Sequence, residues 1–239
     1  FDYMGECDLV MVSSTGFGDG LGLDVHVRTT KELFYSYISS AAIQIGSDVL
    51  EVHAWGRWYL NGEEGEDNPI DSSDPVVTIG GYEVQFFRPL KKRYDYELNL
   101  GKHGTIHIKS VKGWISVTIS TNSEEAFGDS VGLMGEFGSG SMYARDGHTL
   151  MTDDKDAYGQ EWQAGIDDPK LFLWDRAPQY PEKCILPEAH DQEMMSRHLE
   201  ESDIGLPAAE EACAHADEKE ECVFDVLASG DLDMAHLAF

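Results

Sequence analysis

The stretch LDVHVRT, residues Leu23–Thr29, places an apolar or β-branched side chain at every second position. This period of two is typical of a half-buried β-strand, because successive side chains of a strand point to opposite faces of its sheet. Comparable runs lie before and after it, at Asp8–Ser14, Ala41–Ile45, Val49–Trp55, Val76–Ile79, Tyr82–Arg88, Tyr94–Leu100, Thr105–Lys109 and Trp114–Ser120. About nine such strands without helical periodicity between them favour antiparallel sheets that close as a sandwich or a barrel.

Turn sequences and two irregular segments separate these runs. Asn61-Gly62 and Gly80-Gly81 are typical turn sequences, because glycine adopts positive φ at little cost. The acidic segment Glu63–Asp74 has no apolar period and is expected to form an exposed loop. The segment Glu124–Asp168 is rich in Gly, Ser and Asp and is expected to be irregular. Both segments are therefore predicted to lie outside the regular sheet structure.

The C-terminal part of the chain is expected to be a linker followed by a small helical subdomain. Three prolines mark the linker, at Pro178, Pro181 and Pro187. Helical spacing of apolar residues then predicts three helices, at Glu188–Glu201, Pro207–Cys213 and about Asp217–Leu227. The predicted boundary divides the chain into residues 1–180 and residues 181–239.

The chain is strongly acidic, with 45 Asp and Glu residues against 17 Lys and Arg residues and a net charge of −28. This charge argues against a nucleic-acid partner, because the phosphates would be repelled. Two interpretations of the acidity stay open. It provides a solubilising surface in a saline medium, or its clustered carboxylates bind Ca²⁺, which prefers oxygen ligands.

No run of apolar residues reaches the roughly 18 that a membrane-spanning helix requires. The chain begins at Phe1 within a structured pattern, so we expect it to be processed from a longer precursor.

Four cysteines are present, and no two of them have the two-residue spacing of zinc or redox motifs. An even number of cysteines is compatible with two disulfides, although spacing alone leaves three connectivities open. Cys213 and Cys222 lie on adjacent predicted helices, which favours a bridge between them. The remaining bridge would then join Cys7 to Cys184.

Several segments, taken in order, resemble the von Willebrand factor type D domain. They are Phe1–Val10 (FDYMGECDLV), Val131–Phe137 (VGLMGEF), Asp146-Gly147 and Tyr158–Trp162 (YGQEW). Downstream, Cys213 and the segment Glu221–Asp225 (ECVFD) are similar to the small cysteine-containing helical module, called C8, that commonly follows such domains.

The resemblance implies a mainly β fold, with an antiparallel two-sheet β-sandwich over residues 1–180 and a C8-like helical subdomain within residues 181–239. It also implies the bridge between Cys7 and Cys184. The family cysteine of the Gly-Leu-Cys-Gly motif is Met134 here, and its usual partner would lie before Phe1. Because this family bridge has no cysteine at either of its two positions in the chain, it leaves no unpaired thiol.

The resemblance also raises the question of a bound calcium ion. Type D domains usually hold one Ca²⁺ in the loop after Gly-Leu-Cys-Gly, and the candidate ligands in this chain are Glu136, Asp146, Asp153 and Asp154. The loop is shorter than in the family, and Glu136 stands in place of the first Asn ligand. Solvated loop carboxylates are the alternative interpretation, because Ca²⁺ needs six to eight oxygen ligands.

A cluster of aromatic residues surrounds Arg57, namely Trp55, Trp58 and Tyr59. Such a cluster forms either the edge of a sandwich core or a stacking platform for sugar rings. The second interpretation predicts a carbohydrate-binding module as the alternative function.

Catalytic sites are weakly indicated. Glu51, Glu83, Asp95 and Glu97 lie on predicted strands, but paired carboxylates arise by chance in so acidic a chain. His103 and His107 are about 13 Å apart along an extended strand, too far for one metal ion. Ser139 lacks the strand-to-helix turn of a catalytic serine. We therefore expect no enzyme activity.

These features together predict a secreted structural or adhesive module of a matrix, cell-wall or mucin-like protein. Its expected partners are other extracellular proteins or further copies of itself. Because both predicted bridges are internal, the expected assembly is non-covalent.

Overall fold

A curled antiparallel sheet dominates the computed structural model, which describes residues 3–32, 35–66, 77–152, 154–174 and 184–238. Eleven strands lie in these described ranges. They are β1 Asp8–Ser14, β2 Leu23–Glu32, β3 Tyr35–Ile45, β4 Asp48–His53, β5 Trp58–Leu60, β6 Glu63–Glu64, β7 Val77–Ile79, β8 Tyr82–Leu90, β9 Arg93–Asn99, β10 Thr105–Val111 and β11 Trp114–Ser120.

The strands follow the order β6-β5-β4-β3-β11-β10-β9-β8-β7, and β2 joins β3 with β1 outside it. All neighbours are antiparallel, so the predicted antiparallel β fold is confirmed. A separation into two sheets is not confirmed, because a bridge between Ile38 and Ile115 joins β3 to β11 and makes the sheet continuous in a half-barrel.

The alternation in β2 buries every second side chain on one face of the sheet, as predicted. Leu23, Val25 and Val27 are buried in the main apolar core, which also receives side chains from β7 to β11. The opposite face is not solvated, since His26 and Arg28 are buried as well. A covering segment, residues 163–174, lies over that face, and Phe172 of this segment packs under the Arg28 guanidinium at 4.4 Å.

Two ends of the branched sheet are short, since β6 has two residues, both exposed glutamates, and β7 has three. At the third end, the outer edge of the seven-residue β1 is covered by backbone hydrogen bonds with Val131, Trp162 and Ala164. The predicted loop Glu63–Asp74 is therefore β-structure at Glu63 and Glu64, and its part from residue 67 onward lies outside the described residues, as do Val76, Pro178 and Pro181.

The helices fall mainly in the C-terminal part of the chain, as the sequence predicts. They are α1 Phe17–Gly20, α2 Glu124–Phe127, α3 Lys155–Glu161, α4 Ala189–Glu201, α5 Leu206–Ala212 and α6 Lys219–Ser229, together with 3₁₀ turns at Ala54–Gly56, Gly101–His103 and Leu232–Leu237. Helix α4 begins after Glu188, which forms a capping box with Asp191. Helix α6 ends two residues later than predicted, where Gly230 adopts φ 66°. No helix among the described residues is long and apolar enough to cross a membrane.

Helices α5 and α6 pack against the sheet. Cys213, Cys222 and Val226 share an apolar cluster with Tyr35 and Trp114, which belong to β3 and β11. The rings of Tyr35 and Trp114 are 5.2 Å apart and provide the docking surface for the helices.

Both disulfides have the predicted connectivity. Cys7 is bonded to Cys184 across 177 residues, with Cα atoms 4.9 Å apart. Cys213 is bonded to Cys222 across nine residues, with Cα atoms 5.8 Å apart. The long bridge is supported by backbone hydrogen bonds between Glu6 and Ile185. It therefore connects the start of the sheet to the segment that leads into the helices.

The two bridges should stabilise the fold unequally, because the entropy lost by the unfolded chain grows with the length of the closed loop. Replacement of Cys7 and Cys184 by Ser should lower the free energy of unfolding by about 5 kcal/mol, and replacement of Cys213 and Cys222 by about 3 kcal/mol. Urea unfolding followed by tryptophan fluorescence measures both values. A larger loss from the short bridge would contradict this order.

Candidate interaction surface

Positive charge is concentrated at the turn between β8 and β9. The sequence RPLKKR at residues 88–93 holds four of the 17 basic residues of the chain. Leu90 pairs with Arg93 at the end of the hairpin, and Lys92 adopts φ 66° in the turn between them. The tight turn points consecutive side chains outward, so Lys91 and Lys92 are exposed, and the Leu90 side chain is 48% exposed.

Trp55 lies beside this hairpin. It belongs to the 3₁₀ turn Ala54–Gly56, adopts φ 68° and is 53% exposed. Its backbone N–H donates to Ser110 Oγ at 3.2 Å, and its ring lies so close to Gly113 that a Cβ there would be 3.1 Å from the indole. The Lys92 ammonium is 5.8 Å from the centre of the indole ring. The exposed ring is thus held in place beside a cation.

Arg88 completes the surface from the preceding strand. Its guanidinium lies 5.1 Å from the ring of Tyr94, which in turn packs against Gly56. We call the surface formed by Trp55, Arg88, Leu90, Lys91 and Lys92 the basic–aromatic patch.

The cations of this patch make no ion pair within the part of the chain that the structure describes. Arg88, Lys91 and Lys92 lack one there, whereas neighbouring cations have one. Lys112 contacts both Asp231 and Asp233, and Lys92, farther from Asp231, adds to the effect of Lys112 in lowering the pKa of that carboxyl. A positive patch without close counter-charges at Arg88 and Lys91, on a chain of net charge −28, is a local exception that favours an anionic partner.

The predicted aromatic cluster does not form one surface. Trp55 is exposed, but Trp58 is 6% exposed and Tyr59 is 0% exposed, so the platform interpretation is wrong for these two residues. The 3₁₀ turn separates Trp55 from β5 and directs it to another face. Trp58 packs on Phe86 at 4.8 Å and donates its indole N–H to the Glu66 carbonyl, which makes it a core residue.

Tyr59 lies on the opposite face of the sheet, beneath the covering segment. Its ring stacks on Trp174 at 4.7 Å, and the imidazole of His53 meets both rings edge-on. Trp174 in turn lies 5.2 Å from the Arg57 guanidinium. These contacts fix the end of the covering segment on β4 and β5.

A hydrogen-bonded network that the sequence did not reveal lies at this contact. Ser40 and His53 are direct partners in the β3–β4 register, and Ser40 Oγ is 3.0 Å from His53 Nδ1. His53 Nε2 is 2.6 Å from Glu51 Oε1, and Glu51 Oε2 accepts the backbone N–H groups of Leu173 and Trp174. The only sequence signal was the placement of Glu51 and His53 two residues apart on one strand face.

This network has the side-chain types of a hydrolase triad, but its geometry is that of a structural contact that holds the covering segment on the sheet. We call the contact of Ser40, His53 and Glu51 with Leu173 and Trp174 the clamp. Ser40 is 4% exposed, and Glu51 is buried with both carboxylate oxygens engaged. A buried carboxylate needs such donors, because burial removes its water. The strand carboxylates Asp95 and Glu97, which were weighed as catalytic candidates and not favoured, do not join it. Asp95 pairs with Arg93, and Glu97 lies 3.7 Å from His107.

The predicted calcium ligands do not converge. Glu136 accepts a hydrogen bond from Ser139 at 2.6 Å, and Asp154 caps α3 by accepting from the Ala157 N–H. Asp146 accepts two backbone N–H groups and the Thr149 hydroxyl, and these hydrogen bonds lower its pKa to about 2. Asp153 lies outside the described residues.

The carboxylate oxygens of Glu136, Asp146 and Asp154 therefore accept hydrogen bonds within local turns and at a helix cap. Within the described ranges no group of three or more His, Cys, Asp or Glu side chains is arranged to hold a metal ion. The residues present do not fit the expected Ca²⁺ site, which needs six to eight oxygens around one point.

Comparison of the sequence with protein-family models and with curated proteins finds no match. The relationship to type D domains thus rests on the motifs themselves and stays a prediction.

The clamp gives a testable effect on stability. Replacing Glu51 with Gln preserves the shape but removes the charge that accepts from His53 and two backbone N–H groups. The free energy of unfolding should fall by about 2–3 kcal/mol. Urea unfolding measures it, with Glu64→Gln as the control. Glu64 forms an exposed pair with Arg57, so its loss should cost about 0.5 kcal/mol or less. Equal effects of the two changes would contradict the clamp.

His26 predicts a dependence of stability on pH. Burial lowers the pKa of its imidazole, outweighing the opposing effect of Asp24, Asp168 and Asp8, and Nε2 has no hydrogen-bond partner among the residues that the structure describes. The unfolded chain takes up a proton as the pH falls through about 6.5, while the native chain does not, so stability should decrease from pH 7 to pH 5. In the His26→Leu variant this component should be absent. An identical slope in both proteins, measured by urea unfolding, would refute it.

Proposed function

We propose that this chain is an extracellular, non-catalytic structural or adhesive module of the type D kind, which acts by non-covalent association with other proteins or with further copies of itself. The basic–aromatic patch carries the proposal, because it presents an exposed indole and three cations that make no ion pair with a described residue, on an otherwise acidic chain. Exposed Trp and Arg side chains are common anchors of protein interfaces.

The extracellular part of the proposal is supported by the disulfides. All four cysteines of the chain are bonded in two pairs, a state typical of proteins that mature in oxidising compartments. The order of the type D motifs supports the same location. Because no thiol is left for a bridge between chains, association by side-chain contact is favoured over covalent multimers.

The packing of the sheet supports the finer fold assignment to a two-sheet sandwich. Side chains from β2 to β4 and from β7 to β11 bury against each other in one core. A continuous sheet that folds over a shared core places its two halves face to face, as in sandwich domains. The buried position of Ser40 and the structural use of Glu51 support the non-catalytic part.

A carbohydrate-binding module stays the alternative, supported by Trp55 alone, since this one ring of the predicted cluster is exposed. A glycan array of the intact chain and of Trp55→Ala tests it. Trp58→Ala is unsuitable as a probe, because removal of a core ring unfolds the site. Binding that is lost in Trp55→Ala would favour this alternative over protein association.

The adhesive function is tested with beads coated with the oxidised chain. The beads should cluster with each other or attach to a film of extracellular matrix protein, and iodoacetamide should not change this because no thiol is involved. A non-reducing denaturing gel should show the monomer. Beads coated with another acidic protein, such as albumin, are the control. Absence of both clustering and attachment, or a covalent dimer on the gel, would refute the proposal.

A further inference from the structure

We propose that the basic–aromatic patch of one copy docks on the acidic end of the helical region of a second copy, in a head-to-tail contact. The inference rests on the proposed function and names the partner in it. The partner surface, called here the acidic knob, contains the exposed carboxylates of α5, of α6 and of the loop between them, namely Glu210, Glu211, Asp217, Glu218, Glu220 and Glu221.

The acidic knob is held in one shape before any contact is made. The bridge between Cys213 and Cys222 closes the loop over nine residues, and both sulfurs are buried in the apolar cluster under the helices. Fixed loops lose less conformational entropy on binding than mobile ones. The six carboxylates make no ion pair with any described residue, so their charge is available to a partner.

The composition of the patch favours a protein partner over a polysaccharide. Trp55 and Leu90 add exposed apolar area to the cations, and apolar area of this kind is buried at the centre of protein interfaces. The acidic knob offers matching chemistry, because Leu206, one helical turn before Glu210 on α5, is also half exposed. Lys112 takes no part, since Asp231 and Asp233 already neutralise it.

The overall charge of −28 does not prevent such a contact. Charges separated by more than about 8 Å are largely screened at physiological ionic strength, so the repulsion between two acidic bodies is weak beyond the interface. At the interface itself three cations face several carboxylates. Attraction there is local and should weaken as salt is added.

The two surfaces belong to different elements, the β8–β9 hairpin with its neighbouring 3₁₀ turn and the α5–α6 region. A contact between unlike surfaces leaves one free patch and one free acidic knob on every dimer. Further copies therefore add at both ends, and the association produces open chains instead of closed dimers.

Sedimentation velocity of the full oxidised chain in 0.15 M NaCl tests the contact. The wild type should form oligomers of increasing size as its concentration rises. The patch variant K91E/K92E and the knob variant E218K/E221K should each bind at least tenfold more weakly and sediment as monomers. An equimolar mixture of the two variants should form oligomers again, because the intact patch of one variant meets the intact knob of the other and the two charge-reversed surfaces also attract each other.

The variant K102E/K170E is the matched control, since it has the same change of net charge at exposed lysines away from the patch and should associate like the wild type. Near-ultraviolet circular dichroism confirms that each variant is folded. Oligomers that persist in K91E/K92E, or a mixture that stays monomeric, would overturn the contact while leaving the adhesive function intact.

A wild type that is monomeric at all concentrations would also overturn it. If that monomer bound heparin or anionic vesicles through Lys91 and Lys92, the patch would serve a polyanion or a membrane instead of a second copy. If the bead assay also showed neither clustering nor attachment, the proposed function would be refuted together with the contact.

Discussion

Strand β3 must satisfy hydrogen-bonding groups on both of its edges, and the rest of the structure follows from how it does so. Along one edge it pairs with β2 over its whole length. Along the other it pairs with β4 from Ser40 to Ile45 and meets β11 at Ile38. Buried backbone groups left unpaired are costly, so this division of one edge between two neighbours fixes where the sheet turns. Both halves of the sheet consequently close on one apolar core.

The covering segment is held on the second face of β2–β4 by side-chain contacts as well as by backbone hydrogen bonds. Apolar contacts of Ala42 and Val49 with Leu171 and Phe172 provide part of this attachment. The remainder is polar, because Glu51 accepts hydrogen bonds from the N–H groups of Leu173 and Trp174 and lies 2.6 Å from His53 Nε2. Since a buried carboxylate without donors would be strongly unfavourable, the segment and the strand hold each other in one register. The covering segment is thereby joined specifically, not only by apolar area.

The sequence predicts the parts of this structure that depend on local pattern. Leu23, Val25 and Val27 alternate toward the core as expected, and the two disulfides have the expected partners. Contacts between distant residues are not predictable in this way. Ser40 meets His53 only through the β3–β4 register, and one 3₁₀ turn with positive φ at Trp55 separates an exposed ring from the buried Trp58. The spacing left the acidic loop residues open as ion ligands or as solvated carboxylates, because the hydrogen bonds that Asp146 and Asp154 accept from nearby backbone N–H groups leave no trace in it.

The short edge strands β6 and β7 bear on how the chain behaves when it is crowded. Fibrils grow when a long, flat edge accepts a strand from another molecule, and edges of two or three residues, one of them carrying Glu63 and Glu64, offer a poor template. A concentrated solution of the chain should therefore resist strand addition at these two edges. Association through side chains, as proposed above, separates again on dilution.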